Sequence, residues 1–435
     1  VLAGAGNYAQ QTQYTILTAA GGLAGTFTGG VSSNLAFLDP SLSYDANNVY
    51  LTMVRNGLSF QNVGLTWNQI ATGGTVESLG GGHAIHDAVL SLSAGQARAA
   101  FDQLSGEVHA SARTALIEDS RFLRNAVNDR LRAASGGVGA AAGDAVTYVD
   151  GKPVPVRPGI DRLAVWGQGF GSWGRTDGDG NAAKLERRTG GFFIGADVPV
   201  LDRWRLGAVA GYSRSHFDVK DRHSSGTSDN YHLGLYAGAS WGALALRTGA
   251  AYTWHDIETN RTVGFPGFND RLKGDYGAGT TQLFGELAYG FAMGATRFEP
   301  FANLAYVNLH TDGFVEQGGA AALAGTAADT DTVFGTLGLR ASTTFTLGGT
   351  TLTAKGMLGW RHAFGEATPL AALRFAGGGS PFGIGGVPVA RNAAVIEAGL
   401  DYAISPNASL GISYGGQFGS GLADHSAKAN LNVRF

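Results

Sequence analysis

The sequence predicts an all-β membrane protein: a 12-stranded antiparallel transmembrane β-barrel accompanied by one long helix. Three observations carry that reading. Side chains alternate with period two from about residue 161 to the end. One phase is greasy and flanked by aromatics, while the other is Gly, Ser, Thr and charge. No run of about 18 apolar residues occurs, although 44% of the chain is hydrophobic. Period two explains both facts, because half of each strand meets lipid and half meets a polar interior.

Composition narrows the function classes. The 435 residues include no Cys, which removes disulfide scaffolds, thiolate metal sites and cysteine nucleophiles. A net charge of −3 argues against a nucleic-acid partner, which needs a basic face. No cofactor is expected. Gly is abundant, at 69 residues, without the three-residue period of collagen. Val1 is not an initiator Met, so the chain reads as the C-terminal piece of a longer one.

The elements follow in order. Residues 1–60 read as short β segments, such as 14–18 and 49–54, punctuated by Gly21-Gly22, Gly29-Gly30 and Asp39-Pro40. Residues 61–133 turn Ala-, Leu-, Glu- and Arg-rich, with Ser105 placed to cap a helix over about 105–132. Charges surround that helix: Glu107, Arg113, Glu118, Asp119, Arg121, Arg124, Asp129, Arg130 and Arg132. A helix polar nearly all round is either solvated or sits in a polar cavity. A Gly/Ala-rich hinge covers 134–160, and the barrel occupies 161–435.

Twelve alternating strands fill the barrel, the first at 162–174 and the last at 424–435. An even count suits a closed antiparallel ring, and closure removes exposed edges. Aromatics near strand ends, among them Trp166, Trp173, Trp241, Trp254 and Trp360, read as interfacial girdles. Short connections alternate with long ones at 175–185, 219–227, 259–278, 311–330 and 365–390, the long ones on the extracellular side. The run 377–388 reads as a surface loop. Gly on the polar phase leaves room for something inside the lumen.

The whole chain then resembles the C-terminal part of a type V secretion autotransporter of the pertactin-like group. Five stretches carry the resemblance: TQYTILTAAGGLAGTFT at 12–28, YDANNVYLTMVR at 44–55, LSGEVHASARTALIEDSRFLRNAVNDRL at 104–131, VWGQGFGSWG at 165–174, and the terminal alternating strand ending on Phe435. The resemblance implies that 1–60 are closing β-helix rungs of a secreted passenger. It implies that the helix runs through the pore and that Phe435 is the signal read by the barrel-assembly machinery. It also implies outer-membrane lipid and lipopolysaccharide, periplasmic chaperones and the chain's own passenger as partners of a monomer. Asp197, Arg247, Glu286, Arg340, Lys355, Arg361, Glu397 and Asp401 would then pair with helix charges, since unpaired buried ions are costly.

Some members of that family cut themselves inside the pore. Asn125-Ala126-Val127-Asn128-Asp129-Arg130-Leu131 resembles their junction, with Asn125 as nucleophile, Ala126 as the new N-terminus and Glu286 and Asp197 as candidate assisting acids. Asn125 read as an ordinary polar helix residue is the alternative. Other motifs are bland. Gly169-Phe170-Gly171-Ser172-Trp173-Gly174 matches a dinucleotide fingerprint but opens no helix. His83 and His86 lack further metal ligands and read as a solvated turn. An outer-membrane enzyme barrel of the phospholipase or protease kind, or a simple channel, is the alternative function.

Overall fold

The computed structural model describes residues 11–139, 145–149, 152–156, 163–201, 203–347, 350–405 and 408–434. Phe435 lies outside the described residues, as does part of the 134–160 hinge. At the N-terminus β1 (Gln11–Thr18), β2 (Leu38–Tyr44) and β3 (Asn48–Arg55) form one sheet in the order β1-β3-β2. Both pairings are antiparallel. Across 11–55 the described strands form a hairpin with a third strand. Asp45 fixes the β2–β3 turn by accepting the Asn47 and Asn48 amides at 2.8 and 2.6 Å, which directs the chain back on itself.

Five helices follow: α1 (Trp67–Leu79), α2 (Ala84–Leu90), α3 (Ala94–Leu104), α4 (Glu107–Asp119) and α5 (Arg121–Ala134). Thr66 caps α1, and Ser93 with Gln96 forms a capping box on α3. Ser105 ends α3 rather than capping the long helix; Gly106, at φ 68°, makes the turn instead. The long helix is interrupted at Ser120, whose Oγ donates to the Ile117 carbonyl at 2.7 Å. Such back-bonding bends helices. His83 caps α2, and His86 is buried against the Phe60 ring at 5.0 Å, so the solvated turn expected there is a packed helix start.

A hairpin of β4 (Ala145–Val149) and β5 (Lys152–Val156) precedes the barrel. The barrel strands are β6 (Ala164–Thr176), β7 (Leu185–Val200), β8 (Trp204–Val219), β9 (Ser224–Trp241), β10 (Leu244–Phe265), β11 (Phe268–Tyr289), a short β12 (Phe291–Met293) beside β13 (Thr296–Thr311), then β16 (Ala328–Leu347), β17 (Thr350–Phe364), β20 (Asn392–Ser405), β21 (Ala408–Gly419) and β22 (Leu422–Arg434). The long connections contribute β14 (Phe314–Val315), β15 (Leu323–Gly325), β18 (Leu370–Phe375) and β19 (Gly378–Gly385). Each barrel strand pairs antiparallel with its neighbours; β22 pairs with β6, and β11 with β13, closing twelve strands into a ring.

Exposed Leu233, Leu235, Leu283, Leu287, Leu337 and Leu358 form the greasy outer band. Exposed Tyr231 and Trp241 on β9 bracket it. Their separation of ten residues (241 − 231), at about 3.3 Å each and a tilt of about 40°, spans roughly 25 Å, the height of an outer apolar band. Trp166 departs from the girdle reading: it is buried in the lumen, donating Nε1–H to Tyr236 Oη at 2.7 Å. Two expected loops are strand. Residues 259–278 extend β10 and β11 into a hairpin beyond the band, turning only at Pro266-Gly267, and 219–227 shrinks to a single helical turn before β9. The 377–388 run is mostly β19, in a second sheet of order β14-β15-β18-β19.

Lumen glycines have a use that composition did not reveal. Gly195, Gly207, Gly211, Gly249 and Gly338 sit directly opposite Trp166, Tyr236, Phe193, Phe284 and Phe301 on neighbouring strands. A Cβ added at any of the five would overlap the partner ring. Aromatic rings thus lie flat over bare backbone, a recognised way to stabilise glycine in sheets. Gly238, which meets Leu131, and Gly386, against the backbone of Ala110 and Ser111, are the ones that admit the helix.

Candidate functional site: the helix-filled pore

α4 and α5 run down the lumen, with α4 at the long-loop end and α5 at the short-turn end. Their side chains are almost all buried, including Glu107, Glu118, Arg121, Arg124, Arg130 and Arg132. Polar backbone and charge at membrane depth are tolerated because the barrel encloses them. Three tiers of ion pairs hold the helix.

At the long-loop mouth, Glu107 accepts from Arg222 Nε at 2.8 Å and from the Ala183 amide at 2.7 Å. His109 bridges Tyr276 Oη at 3.2 Å and Glu316 Oε1 at 2.8 Å. Arg261 grips both oxygens of Glu316 at 2.8 and 2.7 Å. Burial pushes the His109 imidazole below its usual range, and its bond to Glu316 only partly offsets that. Burial would raise the Glu316 carboxyl, but the Arg261 charge and fork outweigh it and hold it well below the usual range.

In the middle tier, Arg361 of β17 forks onto Glu118 at 2.5 and 2.8 Å. Asp424 of β22 takes Arg121 from the helix and Arg187 from β7, each at 2.5 Å. Asp119 accepts from Thr189 at 2.6 Å and Ser215 at 2.8 Å. In the lower tier Arg130 forks onto Asp197 at 2.6 and 2.8 Å, and Tyr236 donates to the same carboxylate at 2.8 Å. Asp129 pairs with Lys428, which also holds Glu397 at 2.8 Å.

The wall charges expected to meet the helix thus divide. Asp197 and Arg361 do so directly, and Glu397 does so through Lys428. Arg247, Glu286 and Arg340 close a wall-only quartet with Glu299, every contact between 2.6 and 2.9 Å. The reason is register: Arg247 faces Glu286 and Glu299 faces Arg340 directly across neighbouring strands, so the pairs form without the helix. Asp401 likewise pairs with Lys355 at 2.7 Å. Asn125 is the exposed residue of α5. The structure does not bring it to Glu286 or Asp197, whose carboxylates are each held by two arginines.

Sequence reasoning missed Glu299, Glu316, Asp424 and Arg187 as pore residues. Period two did carry a signal for two of them: Asp424 and Lys428 share the lumen phase of β22, and Arg187 that of β7. Among the described residues no cluster of three or more metal-ligating side chains occurs.

Comparison with known proteins agrees with this geometry. The family model of the autotransporter beta-domain matches residues 165–415. Two extracellular serine proteases of Serratia marcescens are 36% and 33% identical over 97% of this chain. The chain spans 43% of the length of each of these relatives. The translocator domain of autotransporter NalP from Neisseria meningitidis superposes with a TM-score of 0.57 at 17% identity, over 75% of this chain and 99% of that one.

Proposed function

Because this chain belongs to the autotransporter β-domain family, we propose that its barrel, an outer-membrane translocator of a Gram-negative cell, carries an N-terminal passenger outward and keeps the pore helix behind as plug and tether. The observation that carries the reading is the direction of α4–α5. The helix starts at the long-loop mouth and ends near the short turns, so the described residues before Glu107 stand on the long-loop side. The proposal assigns 1–60 to the passenger's end, 61–133 to linker and pore helix, 134–160 to a hinge and 161–435 to the barrel. The relatives' names favour a serine protease as the passenger. Assembly through the barrel-assembly machinery and periplasmic chaperones, with Phe435 as signal, belongs to the same reading.

An N-terminal epitope on whole cells tests the direction of export. Antibody added outside binds it if the proposal holds; binding only after permeabilisation would refute it.

Self-cleavage at Asn125–Ala126 is part of the proposal. Asn125 Nδ2 attacks the Asn125 carbonyl carbon and closes an imide. The bond to Ala126 nitrogen breaks, and that nitrogen receives the proton the amide gives up. The exposure of Asn125 within α5 supports it. Glu286 or Asp197 would assist only after exchanging an arginine for Asn125. After insertion into membranes, a denaturing gel should show a fragment beginning at Ala126, lost in Asn125→Ala. A persistent full-length band in the unsubstituted protein rules cleavage out.

A further inference from the structure

We infer that the outer wall of β6–β8 carries a docking site for the bis-phosphorylated glucosamine headgroup of lipopolysaccharide. The inference does not depend on what crosses the pore, since it concerns the lipid-facing side of the wall.

Strand register assembles the site. Arg188 stands exposed on the outward phase of β7, with Trp173 of β6 and His216 of β8 directly across from it. Arg175 of β6 and Arg214 of β8 lie two residues from those partners, so both are diagonal neighbours of Arg188. Such neighbours are about 7–8 Å apart, within reach of long side chains. Three guanidinium groups thus share one patch of wall. Arg175 and Arg214 each approach one carboxylate, Asp177 at 3.6 Å and Asp229 at 3.3 Å, yet their side chains stay 59% and 49% exposed. Arg188 has no hydrogen-bond or ion-pair partner among the described residues. Glu186 faces Arg175 across the β6–β7 pair, but Lys184 and Lys220 hold it at 2.7 and 2.6 Å.

Height selects the chemistry. Tyr212 of β8 faces Tyr231 of β9 at the long-loop edge of the apolar band. Arg214 and His216 follow Tyr212 by two and four residues. At about 3.3 Å per residue and a tilt of about 40°, they stand roughly 5 and 10 Å beyond that edge. This is the headgroup layer of the outer leaflet. A cation on the lipid-facing side is costly against hydrocarbon and favourable against an anionic headgroup. Arginine forks match phosphate oxygens, and several on one patch suit a headgroup with two phosphates. Trp173, half exposed beside them, offers a flat amphipathic face to a sugar ring. Further round the barrel the charge reverses. Asp256 and Glu258 of β10, Asp275 of β11, and Asp329 and Asp331 of β16 are exposed and would repel a phosphate. The β6–β8 patch therefore fixes which side of the barrel receives the headgroup.

The test titrates the whole chain, purified in detergent, with three lipids: the bis-phosphorylated glucosamine lipid, its dephosphorylated form and phosphatidylglycerol. Native mass spectrometry reads the bound lipid. The parent should hold the bis-phosphorylated lipid about tenfold more tightly than either of the others, and Arg188→Ala with Arg214→Ala should lose about tenfold of that affinity. Added salt should narrow the difference. Arg271→Ala with Lys273→Ala removes the same charge from the acidic side and should bind as the parent does. Equal binding of all three lipids overturns the site, as does undiminished binding by the Arg188 and Arg214 double variant. Phosphatidylglycerol bound as tightly as the glucosamine lipid also overturns it, because the patch would then read any lipid phosphate. If the double variant fails to regain heat-resistant mobility on a gel, Arg188→Gln decides alone: a several-fold loss upholds the site, and parental affinity overturns it.

Discussion

Glu118 shows what a single residue does in this pore. It is almost fully buried and accepts two bonds from Arg361, while Arg361 also lies over the Phe334 ring at 4.9 Å. Removing one member of such a pair leaves an uncompensated buried charge, which costs about 3–5 kcal/mol. Glu118→Gln should therefore lower the unfolding free energy of the detergent-solubilised protein, read from urea titration, by that order, and pairing it with Arg361→Met should restore most of the loss. Equal losses in the single and double variants would speak against the pairing. His109 predicts a pH effect. Its folded-state pKa is depressed, so the detached state binds the extra proton and docking weakens as pH falls below about 6.5. Glu316 is depressed too; its contribution is present above the usual carboxylate pKa and fades only as pH falls through its own lower value. Trypsin sensitivity of residues 33–104 should rise between pH 7 and 5, and His109→Asn should flatten that limb. Arg361 was legible in the sequence as a charge on the lumen phase, whereas Arg261 fell in a stretch, 259–278, that read as a loop. Which carboxylate each would choose was not legible, because the choice depends on register between strands distant in the chain.

At the scale of elements, alternation placed all twelve strands, since a one-residue slip would turn every greasy side chain inward. It missed where strands stop. β10 and β11 continue past the lipid band to Phe265 and Phe268, because alternation persists there with Val263, Leu272 and Tyr276 still inward while the outward face turns from greasy to polar. The pore helix was legible from its all-round charge, whereas its bend at Ser120 depends on one side-chain bond that spacing does not reveal. Lumen glycines divide into two kinds with different tolerance. At Gly238 an added methyl meets the end of the flexible Leu131 side chain at 2.8 Å. At Gly207 it meets the Tyr236 ring, which Trp166 and Asp197 hold in place. Gly207→Ala should therefore cost about 1–3 kcal/mol, the usual price of overpacking, and Gly238→Ala less. Thermal unfolding in detergent checks the order, and the reverse ranking would count against the ring-over-glycine account.

As a whole, the molecule is a closed ring whose interior is filled by its own chain. Sequence made the ring, the helix and the exporting family legible together, because each rests on local pattern. It hid the outer assembly, in which α1–α3 and the β14–β19 sheet share one core, since those partners lie some 300 residues apart in the chain (Asn68 to Gly385 is |i−j| = 317). The claim on which everything else depends is that α4–α5 occupy the lumen. Single-channel conductance of the inserted protein, with and without residues 107–134, tests it most directly. The intact chain should be nearly closed, and the deletion should open steps of nanosiemens order, as in water-filled barrels. Identical traces from the two proteins would mean that the helix lies outside the pore.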